Sequence, residues 1–320
     1  MVDVNPLVDE LRRAAGLQTK EPLTSYNEAW AQFARAIGMA KDRYRGPSKR
    51  APETGGRTVT VVGDLHIPWH DPVMLADLIA REAKRTDLLV ISGDATDAYS
   101  LSRFLLYEWM PFRDEWAHVV ATLDHLSASF TEILIIIGNH DGRLEKQIRS
   151  RMTPDMVEAI TWLTNGTLCP LTALATRYPN VHIAKHRMPS GLSVDWLATV
   201  GDAVICHPEA FSVVPTGATR KVEQALATKA EEWGIGTCRL VIIGHTHQRS
   251  DIPWRDKRLI EPGCLCLTQG YQTTPKVSVT TQRRGYVTFW QDERGRTDYN
   301  TVKLFDYDEW ARLMSIQGVA

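Results

Sequence analysis

Five short stretches hold the residues that could do chemistry. Asp64 and His66 lie in "GDLH", Asp94 and Asp97 in "GDATD", and Asn139 and His140 in "GNH". His207 ends "VICH", and His245 and His247 lie in "GHTH". Each stands where an apolar run stops. A lone Asp-x-His in a loop is ordinarily a surface turn, and a lone histidine at a strand end is ordinarily structural. Five clusters in the same relation to five runs read instead as a ligand set. Carboxylate, amide and imidazole without thiolate suit manganese, iron, zinc, cobalt or nickel. Magnesium or calcium alone would want more oxygen donors. With Asp64 and Asp94 as the anionic ligands, two divalent ions keep a net charge of about +2, or about +1 with a bridging hydroxide. Such a site attracts phosphate oxyanions and draws the pKa of its water toward neutrality.

The runs that position these groups are "RTVTVVGD", "TDLLVISGD", "TEILIIIGN", "DAVICH" and "RLVIIGH". Short, continuous apolar runs of this kind predict buried strands. Helical patterns over 72–85 and 103–130 (broken at Pro111) separate the first three, so the class is α/β. In such sheets ligands bind beyond the carboxyl ends of the strands, where the five clusters lie. Another helix is expected over "RLEKQIRSRM". After His247, "RLIEPGCLCL", "KVSVTTQ" and "GYVTFWQ" predict strands of a second sheet.

Residues 1–45 read as a separate helical extension. Ser25 and Glu28 make a capping box, and Trp30, Phe33, Ala34 and Ile37 recur on one helical face. That face must be covered by the main body or a partner; a small DNA-binding unit is the rival reading. A Gly-, Pro- and charge-rich linker spans 46–57, the main domain 58–300, and a tail 301–320.

Composition sets the frame. The chain has 320 residues, 43% hydrophobic and 23% charged, with a formal net charge of -1. No overall field therefore announces nucleic acid or an anionic membrane. No apolar run approaches the roughly 20 residues of a membrane span, and the start lacks an apolar signal region. Five cysteines without a CxxC spacing read as reduced, buried thiols of a cytoplasmic protein.

The order DxH, GDxxD, GNH, H, GHTH over residues 58–290 resembles the calcineurin-like metallophosphoesterase superfamily. The resemblance implies a four-layer αββα sandwich of two mixed β-sheets with metals at the sheet ends. It implies that Asp64, His66 and His247 hold one ion, that Asn139, His207 and His245 hold the other, and that Asp94 bridges both. Manganese is the foremost expectation. "GDATDAYSLSRF" and "EPGCLCL" further resemble the phage and prophage members, which would place the protein in a host cytoplasm. One departure stands out: Pro208 follows His207 where the family commonly has Gly. His182 and His186 in "VHIAKHRMP" are therefore competitors, with a hairpin surface as their bland reading.

The implied reaction is attack on phosphorus by a metal-bridging hydroxide. His140 would act as general acid to the leaving group, worth roughly 10² to 10⁴-fold, and Asp97 would orient it. Asp141 more plausibly supports the loop. Arg143, Tyr99 and Arg103 are candidate substrate contacts, with a solvated helix residue as the alternative for Arg143. Phosphodiesters of nucleotide or cyclic-nucleotide type are the expected substrates. The alternatives are a nuclease of the repair-exonuclease type, a phosphomonoesterase or protein phosphatase, and a non-catalytic scaffold. Oligomeric state is not legible.

Overall fold

The computed structural model describes residues 55–102, 110–164, 166–210, 212, 214, 216–267 and 282–308. The readings for residues 1–45, the 46–54 linker, Arg103 and residues 276–281 of "KVSVTTQ" lie outside these residues.

Six strands make the first sheet: β1 (Arg57–Val62), β2 (Leu88–Ile91), β3 (Ile133–Ile135), β4 (Val181–Ile183), β12 (Gly285–Gln291) and β13 (Thr297–Asp306). Their order is β13-β12-β1-β2-β3-β4. β5 (His186–Arg187) and β6 (Ser193–Val194) form a small separate ribbon. The second sheet contains β7 (Leu197–Val200), β8 (Ala203–Cys206), β9 (Leu240–Ile243), β10 (Arg249–Trp254) and β11 (Lys257–Pro262), in the order β10-β11-β9-β8-β7. Both sheets are mixed: β1, β2, β3 and β4 run parallel, while β12 pairs antiparallel with β1.

Side-chain alternation builds the layers. In β2, Leu88 and Val90 face the inter-sheet core while Leu89 and Ile91 face α1 (Pro72–Glu82) and α2 (Phe112–Ser129). In β9, Leu240 and Ile242 enter the inter-sheet core, and Val241 and Ile243 pack against α6 (Gly217–Trp233). Strands buried on both faces read as continuous apolar runs, which is why they were visible in the sequence. The result is helix, sheet, sheet, helix, as the resemblance implied. α3 (Arg143–Arg151), α4 (Pro154–Leu163) and α5 (Pro170–Ala175) complete the helices named here. α1 starts where Pro72 follows Asp71, whose carboxylate accepts the Val73 and Met74 amides at 3.0 Å.

Three expectations are corrected. "GYVTFWQ" does not join the second sheet: as β12 it zips onto β1 of the first, because chain pairing and not local pattern chooses a strand's neighbour. The domain does not end at 300, since β13 runs to Asp306 and leaves less of a tail. His182 and His186 do not share a hairpin; they lie in β4 and β5, in different sheets. All five cysteines are free and buried. Among the described residues no helix is long and apolar enough to cross a membrane.

Candidate metal centre

Every cluster lies just past the end of its strand, and the backbone there is unusual. Asp64, His66, Asp94, His245 and His247 have φ of 52°, 48°, 48°, 78° and 54°. They are five of the eight non-glycine residues with positive φ among the described residues. Left-handed backbone is costly for a side chain, and its concentration at one place marks a site whose geometry is imposed by its surroundings. Cross-strand bonds impose it: the Asp64 amide donates to Gly93 O at 3.2 Å and the His66 amide to Asp94 O at 2.9 Å. Glycines let the clusters close. A Cβ on Gly138 would lie 2.1 Å from Asp94 Oδ1, and one on Gly93 would lie 2.2 Å from His207 Nδ1.

The side chains then converge. Asp94 Oδ2 lies 3.2 Å from His207 Nε2 and 3.7 Å from His66 Nε2. Asp64 Oδ1 is 3.5 Å from His247 Nε2, and its carboxylate accepts the His245 amide at 2.9 and 3.0 Å. His207 Nε2 meets Asn139 Oδ1 at 3.0 Å, and His66 Nε2 meets His247 Nε2 at 3.0 Å. The distal nitrogens are occupied elsewhere. His66 Nδ1 pairs with Asp97 Oδ1 at 2.9 Å, His207 Nδ1 with the Ser92 carbonyl at 2.9 Å, and His247 Nδ1 with Cys266 Sγ at 3.9 Å. Tying one ring nitrogen and aiming the other inward is the arrangement of metal-ligating histidines.

The electrostatics favour cations. Burial works against a charged His207, yet Asp94 and Asp64 outweigh it and push its pKa up to about 9. His247 rises to about 9 for the same reason, with Asp64 as the main partner. Burial would raise the Asp94 pKa, but His207 and His140 hold it well below the usual carboxylate range. His245 goes the other way, down to about 4, through burial and the neighbouring His207. Buried carboxylates that make their neighbours hold positive charge, with neutral donors beside them, fit divalent ions. Asp94, His207 and His245 offer atoms within 4.8 Å of one another, as do His66, Asp94 and His140, and His66, His247 and Cys266.

A sequence profile of the calcineurin-like phosphoesterases matches residues 57–249, more than half of the chain. The protein belongs to that family. No curated protein matches the chain. A single-site variant of Vps29 from Entamoeba histolytica is similar at 15% identity, over 77% of this chain and 96% of its own, with a TM-score of 0.36. A conserved predicted phosphoesterase from Streptococcus pneumoniae is similar at 13% identity, over 78% and 98%, with a TM-score of 0.31. A novel archaeal phosphodiesterase is similar at 15% identity, over 78% and 99%, with a TM-score of 0.33.

In this phosphoesterase the remaining candidates are placed as follows. His140 Nδ1 lies 2.8 Å from Asp97 Oδ1 and 2.9 Å from the Asp97 carbonyl. Its Nε2 accepts from the Arg143 guanidinium at 3.0 Å and lies 3.9 Å from Asp94 Oδ2. Arg143, first residue of α3, also donates to the Asp97 carbonyl at 2.8 Å, so it is no freely solvated residue. Tyr99 sets its ring edge-on to Trp69, 5.6 Å away. Asp141 accepts the Thr96 amide and hydroxyl at 2.8 Å and the Gly138 amide at 2.8 Å, bracing two of the ligand loops. Burial pushes its pKa up to about 6. His186 Nε2 bonds the Trp233 carbonyl and His182 lies on β4, both away from the cluster. The open groove lined by Arg149, Met152, Val157 and Trp162 contains none of the clustered groups.

Two residues escaped the sequence reading. Cys266 backs His247, and its only signal was the run "EPGCLCL", which ends beside the cluster. Glu115 sits behind the Asp97 loop, and nothing distinguishes it in the charged stretch "RDEW".

Proposed function

We propose that the protein is a phosphodiesterase dependent on two divalent ions, with manganese foremost, acting on nucleotide-type diesters. Asp64, His66 and His247 would hold one ion, Asn139, His207 and His245 the other, and Asp94 would touch both. When bound, such ions neutralise phosphoryl charge and acidify water. The chain's own residues then set the substrate class. With its Nδ1 proton held by Asp97, His140 takes a proton from water at Nε2 once Arg143 turns away, and the imidazolium, stabilised by Asp97, gives that proton to the departing alkoxide. Arg143 leaves Nε2 as the leaving-group oxygen arrives and pairs with a phosphate oxygen, as a planar guanidinium does well.

The observation that carries the reading is the His140–Asp97 pair, 2.8 Å apart, with the imidazole side chain 15% exposed. A held, partly exposed acid beside the cluster is needed for poor leaving groups and superfluous for good ones. A polynucleotide groove has less support. Among the described residues Lys146 pairs with Glu209, Arg149 with Glu145, and Arg284 with Asp71 and Asp308. The test is a manganese-loaded panel of bis-p-nitrophenyl phosphate, p-nitrophenyl phosphate, cyclic nucleotides, and single- and double-stranded DNA. Activity on the monoester alone would overturn the diesterase; DNA cleavage with steep salt dependence would favour the nuclease.

A further inference from the structure

The loop that presents Asp97 has its own anchor. Ala98 takes left-handed backbone, φ 47°, and Tyr99–Leu101 make a single 3₁₀ turn. Behind them, in the first turn of α2, lies Glu115, only 1% exposed. One of its carboxylate oxygens accepts the Tyr99 amide at 2.9 Å, and the amides of Ser100 and Ala98 face the same carboxylate. Its other oxygen, Oε2, is buried without a hydrogen-bond partner among the described residues. Successive amides converging on one anion make a rigid nest.

The opposite side of this loop meets the reacting groups. The Asp97 carbonyl accepts His140 Nδ1 at 2.9 Å and Arg143 at 2.8 Å, and the Asp97 carboxylate takes His140 at 2.8 Å. α3 ties down the far end, where Gln147 Nε2 donates to the Leu101 carbonyl at 2.7 Å. A half-satisfied buried carboxylate is costly: burial, with Asp97 nearby, pushes the Glu115 pKa up to about 7. Fold stability alone would be served by an apolar side chain there.

We propose that Glu115 is a positioning residue for the phosphodiesterase reaction: by gathering the amides of residues 98–100 it sets Asp97, and through Asp97 the ring of His140. This rests on the reading of His140 as general acid. Glu115 touches neither substrate nor metal, and His66, unlike His140, is also pinned through its amide to Asp94 O at 2.9 Å, so removal of Glu115 weakens proton delivery more than it disturbs the cluster.

The test uses the full chain loaded with Mn²⁺, a dinucleoside monophosphate, and bis-p-nitrophenyl phosphate, whose leaving group needs no proton. Glu115→Ala should lower kcat on the dinucleotide by about tenfold or more and on the aryl ester by no more than about threefold. Glu115→Gln keeps an accepting oxygen and should restore most of the loss. In a His140→Ala background Glu115→Ala should cost nothing further, because the two act in series. Should Glu115→Ala fail to fold, Glu115→Asp, which withdraws the carboxylate by one methylene, should show the same selective loss. Equal loss on both substrates, full additivity with His140→Ala, or no rescue by glutamine would overturn the proposal. If His140→Ala alone loses both activities equally, the acid reading falls first and this proposal with it.

Discussion

Oδ1 of Asp97 lies 2.8 Å from Nδ1 of His140, and the same oxygen lies 2.9 Å from Nδ1 of His66. One carboxylate therefore orients two imidazoles, that of His66 and that of His140, whose Nε2 atoms lie 3.7 and 3.9 Å from Asp94 Oδ2. Asp97→Ala should injure both functions: kcat on an alkyl diester should fall by about 10²-fold, and metal affinity by about tenfold. Turnover of the two leaving-group classes and calorimetric Mn²⁺ titration measure the two effects separately. Unchanged metal affinity would show that the His66 contact is idle.

Asp94 is the hinge of the metal reading, its carboxylate reaching His207 at 3.2 Å and His66 at 3.7 Å. Asp94→Ala should reduce bound metal from about two ions per chain to near zero. Metal content after dialysis decides this; one ion retained tightly would contradict a shared ligand.

Gly138 is irreplaceable on steric grounds. The added Cβ of Gly138→Ala would sit 2.1 Å from Asp94 Oδ1 and 2.2 Å from its amide nitrogen, both in a backbone pinned by its neighbours. The variant should lose metal and about 3 kcal/mol or more of stability, since the clash is with buried, fixed groups. Urea unfolding of the metal-free protein isolates the steric part.

Arg143→Ala should raise KM for a diester by about tenfold and leave metal content unchanged. Arg143→Lys should restore little, because a lysine lacks the fork that spans the Asp97 carbonyl and His140. A full rescue by lysine would reduce the role to charge.

Glu115 gives the stability a pH dependence. Its pKa is raised from 4.5 to about 7 by burial and Asp97, so the folded chain holds its proton more tightly than the unfolded one. Below pH 4.5 the group is protonated in both states and costs nothing. As pH rises to about 7 the unfolded state ionises first, and stability falls by a few kcal/mol. Glu115→Gln lacks this loss, so its Tm should exceed that of the native protein at pH 8 and approach it at pH 4.5. A constant difference across that range would sink the assignment.

Much of this was legible beforehand because the runs in β2, β8 and β9 are buried on both faces and so show no polar interruption until the chain leaves the sheet. The first one to three residues after the last apolar one are then forced to the sheet edge, and Asp64, Asp94, Asn139, His207 and His245 could all be read there. β12 was misassigned because its alternating pattern suits either sheet; only the antiparallel register Val61↔Val287 decides. Glu115 was invisible for a similar reason: its partner amides lie 16 residues back, across a loop whose path no spacing reveals.

The order of the five clusters, carried on buried strands, determined the fold class and the chemical types of the donors. Apolar burial fixes where a strand must stop, and that much is local. Which nitrogen of each histidine points inward, and that Asp97 serves two rings at once, depended on the tertiary structure. Those choices are made by groups distant in sequence, Ser92 for His207 and Cys266 for His247, whose approach follows from packing two sheets face to face.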